Sequence, residues 1–323
     1  MALKDIKAKI GATNRTHKVT RAVEAVSAVK MRKTIGTALA GRPYARAALQ
    51  ILARLSGASD LARHPLMQVR TSDVHRNGGH PMSTFWKIGF VVITSDKGLA
   101  GALNHGVIRA ASDYIVRSQA SNTDVTVYAY GKKGFEYFSR RGYQVAKQWE
   151  NKNDEVNQPV IEELVQELSV RFIAGDYDQV LVAYSNFKST FEQAPTVRTL
   201  LPLSTEAVRA LVEDIVPEKG AMSDANVGRT MSYIESAPAY TIEPEGADVL
   251  ATLLPRLVTV SLYHMLLESK ASEHSARMVA MKSASDKSEE MAHDLTRLYN
   301  KVRQAAITRE VSEIVGGREA LAA

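Results

Sequence analysis

Residues 271–315 read ASEHSARMVAMKSASDKSEEMAHDLTRLYNKVRQAAITREVSEIV, a stretch with no Gly and no Pro that is rich in good helix formers. Within it Arg277, Met281, Ala284, Ser288, Met291, Leu295, Leu298, Val302 and Ala305 follow one another in alternating steps of four and three. That 3.5-residue period puts them on one narrow seam of a helix, the geometry of a coiled coil. The small residues on the seam let a partner helix come close. The helix extends back to about residue 248. About 68 residues rising about 1.5 Å each make a rod of roughly 100 Å, too long for a packed helix of an ordinary domain.

The partner is at the other end of the chain. Residues 3–56 read as one long helix with Val19, Val23 and Val26 in the same four-three step and Ala22, Ala25 and Ala28 beside them. Such a thin, alanine-rich face buries little alone and needs a close neighbour. Two ends of one chain pairing across a middle domain predict an antiparallel helical hairpin. Gly11, Gly36 and Gly41 weaken the first helix, and Pro43 predicts a kink or break at about 42.

Composition narrows the function classes. The chain has no cysteine, which excludes disulfides, thiolate metal sites and cysteine catalysis. The eight histidines are scattered, without the spacing of a metal site. No run of 18 apolar residues occurs and the N-terminus lacks an apolar signal region, so neither a membrane span nor secretion is expected. Net charge is +6, unevenly spread: residues 1–54 carry twelve Lys/Arg against two Asp/Glu, and residues 245–323 carry ten against eleven. A basic helix calls for an acidic protein surface or a polyanion such as nucleic acid.

The middle alternates strands and helices. Strands are expected at 85–96, 124–130, 143–148, 178–186 and 196–203. Helices are expected at 104–119, 132–141 and 159–174, the last with Leu164, Leu168 and Phe172 repeating at four. Near-continuous apolar strands between helices predict a mostly parallel, covered sheet, Rossmann-like in architecture. The turn SDKGLAGALN (95–104) follows the first strand where such domains bind phosphate. It is neither GxGxxG nor a Walker A loop, and no acidic residue ends the second strand to hold a ribose, so it reads as a structural turn. No GxSxG elbow is present, and adjacent carboxylates such as Glu162 and Glu163 read as a solvated face. The expected organisation is an N-terminal long helix (1–56), a loop (57–84), an α/β domain (85–203), an irregular linker with one short helix (204–247) and a C-terminal long helix (248–323). Pro255 predicts a kink or a later start of that helix.

Several of these stretches carry a resemblance. RMVAMKSASDKSEEM with LYNKVRQAAITREVSEIVGG at the C-terminus, KIGATNRTHKVTRAVEAVSAVKMRK with GRPYA at the N-terminus, and SDKGLAGALN in the middle resemble the gamma subunit of F-type ATP synthases. The chain has Val23 and Ala100 where the family has Met and Cys, both apolar changes, and the resemblance implies insertions near 66–84 and 213–240, within the loop (57–84) and the linker (204–247). The resemblance implies a non-catalytic rotor shaft: an antiparallel coiled coil inside the ring of alpha and beta subunits. An α/β foot would lie near epsilon and the membrane ring of c subunits. Proton or sodium flow would turn it, at the cytoplasmic face of a bacterial inner membrane. It implies no cofactor, metal or catalytic residue, no nucleic acid and no direct membrane insertion.

The resemblance also implies contact residues toward beta: Arg303, Gln304 and Thr308 in the RQxxIT run, with Arg277, and Lys30, Arg32 and Lys33 of the basic cluster facing acidic beta loops. Beyond Ala305 the seam position is Arg309, while the apolar residues Ile307, Val311 and Ile314 lie about 200° away at about 100° per residue. This predicts a C-terminal helix that outruns its partner and offers a new apolar face as a bearing. The alternatives are a basic coiled-coil protein that binds nucleic acid and a gamma-like paralogue outside the synthase.

Overall fold

The computed structural model describes residues 3–41, 44, 47, 64–69, 87–118, 120–151, 156–204 and 246–322. Most of the expected first helix beyond 41, most of the loop at 57–84 and the helix expected after 204 lie outside the described residues. In chain order the described elements are α1 (Leu3–Ala40), β1 (Ile88–Ile93), α2 (Leu103–Arg117), β2 (Val125–Tyr130), α3 (Lys132–Arg140), β3 (Gln144–Trp149), α4 (Gln158–Ala174), β4 (Gln179–Phe187), β5 (Gln193–Leu201) and α5 (Gly246–Ala322).

The chain divides into two compact units, Met1–Ala28 with Arg277–Ala323, and Val29–Ala276. Both long helices thus contribute to both units.

In the second unit the strand order is β3-β2-β1-β4-β5. The first four strands are parallel, and β5 returns antiparallel to β4 after a short turn. β1 lies at the centre and is buried on both faces, which is why it reads as an unbroken apolar run. Alternate residues feed two cores. Ile88, Phe90 and Val92 join Val107, Ala111 and Ile115 of α2 and Phe138 of α3. Val91 and Ile93 face Ile161, Leu164, Val165, Leu168 and Phe172 of α4 and the start of α5. Those five α4 side chains contribute on the order of 10 kcal/mol by apolar burial. The edge strand β3 alternates exposed and half-buried residues, as a strand covered on one face does.

α2 and α3 follow their strands through tight turns. Gly131 caps α3 with φ 111°, and a Cβ there would come within 2.0 Å of the Thr94 carbonyl oxygen. Only glycine fits that approach.

α5 runs as one helix from Gly246 through Pro255, so the later start expected from that proline does not occur. Proline removes the hydrogen bond to the carbonyl of Ala251. Ala251 and Thr252 are exposed, so water can take that carbonyl. α5 contains an 18-residue window of mean hydropathy 1.5, apolar and long enough by composition alone to cross a membrane, and half of that window is buried inside the protein. Leu250, Leu254, Leu257, Val258 and Leu262 pack into the α4 core, so the apolar stretch is accounted for as a core helix.

In the first unit α1 and α5 form an antiparallel pair. His17 Nδ1 lies 3.1 Å from the Ser285 carbonyl oxygen and 3.2 Å from Ser285 Oγ. The packed stripe of α1 differs from the one expected. Val19, Ala22, Ala25 and Val26 are exposed while Val23 and Ala28 of the expected face are half-buried, and the covered stripe runs mainly through Ile6, Ile10, Thr13, His17, Thr20, Glu24 and Ser27. The seam of α5 also shifts. It runs through Arg277, Met281, Ser285, Ser288, Ala292, Leu295, Tyr299, Val302 and Ala306, leaving Met291, Leu298 and Ala305 exposed. Eight steps over 29 residues average about 3.6, the period of an undistorted α-helix rather than of a strict heptad, so the contact line drifts by one residue.

Candidate functional site

Two regions bear on function, and the first is the C-terminal edge of the sheet. The strand order reverses between β1 and β4, and in open α/β sheets ligands enter the crevice at such a reversal. Here the protein's own side chains fill it. The Ser95 amide, free to meet an anion in a phosphate loop, donates to Asn104 Oδ1 at 2.9 Å, and Asn104 Nδ2 donates to Ser95 Oγ at 2.7 Å. Asp96 accepts from the Lys132 amide at 2.7 Å and from the Asn151 amide at 2.8 Å. Asn151 Nδ2 donates to the Thr94 carbonyl at 2.8 Å. The SDKGLAGALN turn is therefore a closed network of backbone and side chain, as its spacing indicates.

α5 crosses this edge. Lys270 Nζ donates to the Asn151 carbonyl at 3.1 Å. Ser272 Oγ donates to the Ser185 carbonyl of β4 at 3.0 Å, and Ser275 Oγ donates to the Thr190 carbonyl in the β4–β5 turn at 2.5 Å. Lys270, Ser272 and Ser275 are all buried. Sequence reasoning missed them. The available signal was a run of six polar residues in seven, 269–275, which reads as a solvated helix face.

The second region is the far end of α5. Val302 and Ala306 are the last half-buried residues, and from Ile307 to Arg318 every residue is exposed. Where the packed stripe would continue, an exposed Arg309–Glu313 ion pair of 3.5 Å stands instead. Arg303, Gln304 and Thr308 are exposed, as are Ile307 (51 %), Val311 (53 %) and Ile314 (67 %). At about 100° per residue all six fall within an arc of roughly 140°, so hydrogen-bonding and apolar groups share one face.

The other expected contact residues are placed differently. Arg277 is buried, and about 26 residues of helix, roughly 40 Å, separate it from Arg303. On α1, Arg32 and Lys33 are exposed, Lys30 is half-buried and Met31 between them is buried. Among the described residues no group of three or more His, Asp or Glu side chains is arranged to hold a metal.

Two long terminal helices joined to a mostly parallel five-stranded sheet are the architecture of a stalk-type protein. The comparisons agree. The ATP synthase family profile matches residues 2–321. The ATP synthase gamma chain of Pelotomaculum thermopropionicum is 36% identical over 320 residues, covering 99% of both chains, and that of Geobacter metallireducens is 35% identical with the same coverage. Among solved structures, a chain of the Euglena gracilis mitochondrial ATP synthase matches with a TM-score of 0.61 at 17% identity, covering 99% of this chain and 94% of that one. One from the Tetrahymena thermophila central stalk and c-ring matches with a TM-score of 0.53 at 25% identity, covering 83% and 99%. The chain belongs to the ATP synthase gamma chain family. It is a stalk subunit of a rotary F-type ATP synthase, in which catalysis takes place on the beta subunits.

Proposed function

We propose that this chain is the central shaft of its synthase, carrying torque between the membrane ring of c subunits and the catalytic ring of alpha and beta subunits. In this reading the α/β domain is the foot, close to epsilon, and the complex works at the cytoplasmic face of a bacterial inner membrane, driven by protons or sodium ions. The observation that supports it most is the end of the packed stripe at Ala306, followed by a helical tip with no buried residue through Arg318. A helix rarely leaves Ile307, Val311 and Ile314 in water on one face without a partner to cover them. Arg303, Gln304 and Thr308 at the join supply donors suited to carboxylates and carbonyls of beta, and the apolar residues beyond act as the bearing. Lys30, Arg32 and Lys33 give α1 the positive charge that acidic beta loops would meet, and Arg277 acts from within the packed seam.

The test is the double substitution Arg303→Ala with Gln304→Ala in the assembled complex. ATP turnover or assembly falls, while the circular dichroism of the isolated chain keeps its helical amplitude. Turnover and coupling at the level of the unmodified complex would sink the assignment.

A further inference from the structure

A helix buried all round is ordinarily apolar. From Ser261 to Ser275 all of α5 except the half-buried Tyr263 is buried, yet Ser261, His264, Glu268, Ser269, Lys270, Ser272, Glu273, His274 and Ser275 are polar. Burying a lysine head group and four serine hydroxyls costs free energy that apolar residues of the same size would not incur. The hydrogen bonds of Lys270, Ser272 and Ser275 go to the Asn151, Ser185 and Thr190 main-chain carbonyls, which lie after β3, among the last three residues of β4, and in the β4–β5 turn. Gln193 Nε2 adds a bond to Ser275 Oγ at 3.4 Å. Asn151 is itself anchored by its amide on Asp96 and by its side chain on Thr94.

The directions of these bonds matter. At about 100° per residue, Ser272 leaves the helix about 160° from Lys270, and Ser275 about 140° from it. The α/β domain therefore holds α5 from opposite sides of its axis. Two opposed contacts resist rotation as a couple, which a contact on one side cannot do. Apolar packing is non-directional and lets a helix turn a little in its groove, whereas a hydrogen bond to a fixed carbonyl weakens steeply as its angle opens.

We propose that Lys270, Ser272 and Ser275 form a torque clutch that locks α5 against rotation within the α/β domain. Twist arriving along α5 then passes to the sheet through these bonds, not through the connecting chain alone. They are positioning residues, not contacts to another subunit. The proposal rests on the shaft reading above.

The experiment uses membrane vesicles bearing the whole synthase, in which this chain or its variants replace the resident gamma chain. ATP hydrolysis and ATP-driven ion uptake are measured on the same vesicles, and their ratio is followed as an opposing ion gradient builds. In the triple variant Lys270→Met, Ser272→Ala, Ser275→Ala the ratio falls several-fold under load while hydrolysis stays near the unmodified rate. Met265→Leu, a volume-conserving change in the same buried stretch, leaves the ratio unchanged. A catalytic ring detached from the membrane ring hydrolyses ATP without pumping, so the ratio is read only on vesicles washed free of loosely bound complex. If the triple variant fails to assemble, Ser272→Ala with Ser275→Ala removes only two hydroxyls and is read in the same way. An unchanged ratio in the assembled variant overturns the clutch and leaves the shaft reading standing. Failure of the unmodified chain to restore coupled hydrolysis overturns both.

Discussion

Tyr128 shows how a single residue ties the sheet to α4. Its hydroxyl lies 2.9 Å from that of Tyr177 and donates to Glu167 Oε1 at 3.1 Å, and Arg171 donates to the Tyr177 hydroxyl at 3.2 Å. Burial pushes the Tyr128 phenol well above its ordinary range, with the neighbouring Tyr177 and Glu167 acting in the same direction. Tyr130 is raised too, by burial and then by Asp96. A phenol raised on folding stabilises the protein fully below its unfolded pKa of about 10, and that contribution is lost as pH rises through the folded value. Urea unfolding from about pH 9 to 11.5 will show stability falling above about pH 10, and Tyr128→Phe will flatten that fall. At neutral pH the same change costs about 1 kcal/mol, because hydrogen bonds are lost. An equally steep alkaline fall in the variant would remove Tyr128 as a cause.

The elements of greatest consequence are the two long helices, and each packs through residues other than the obvious ones. α1 buries Ile6, Thr20 and Ser27 and leaves Val19 and Val26 in solvent. Small hydroxyl residues permit close helix approach, and their hydroxyls turn back onto their own helix, as Thr20 Oγ1 does to the carbonyls of Thr16 and His17. The consequence is testable on the isolated chain by urea unfolding. Ile6→Ala costs about 2–4 kcal/mol, as cavity-forming changes do. Val26→Ser changes stability by less than about 0.5 kcal/mol, as exposed substitutions do. The reverse order would mean that the packed face of α1 is the valine face.

For the whole molecule, the division of labour follows from which surfaces are satisfied internally. The α/β domain closes its own crevice, so the chain has a braced sheet where related architectures hold a ligand. The tip of α5 is the opposite case, with nothing buried from Ile307 to Arg318. Truncation after Ala306 therefore leaves the urea midpoint of the isolated chain unchanged while lowering ATP turnover of the assembled complex. A destabilised isolated chain would show that the tip packs on its own protein. In sequence the two ends of the chain differ in charge, with residues 1–54 at +10 and residues 245–323 at −1.

Much of this was legible in the sequence, where local rules suffice. The strand–helix alternation of the middle domain was read to within a few residues, because central parallel strands are continuous apolar runs and α4 repeats its apolar residues at helical spacing. The two terminal helices and the closed SDKGLAGALN turn were legible for the same reason, while the end of the seam, expected beyond Ala305, falls one residue later at Ala306. The contact stripes were not, since counting apolar residues selects Val19, Val26, Met291 and Leu298, whereas a close helix pair selects side chains small enough to fit. Nor were Lys270, Ser272 and Ser275, which a periodicity reading assigns to water. The sequence by itself determined the elements, their order and the family, because these depend on period, propensity and motif. Only the tertiary structure decided which helix faces are covered and which polar groups are drawn inside, because burial depends on what the rest of the chain brings alongside.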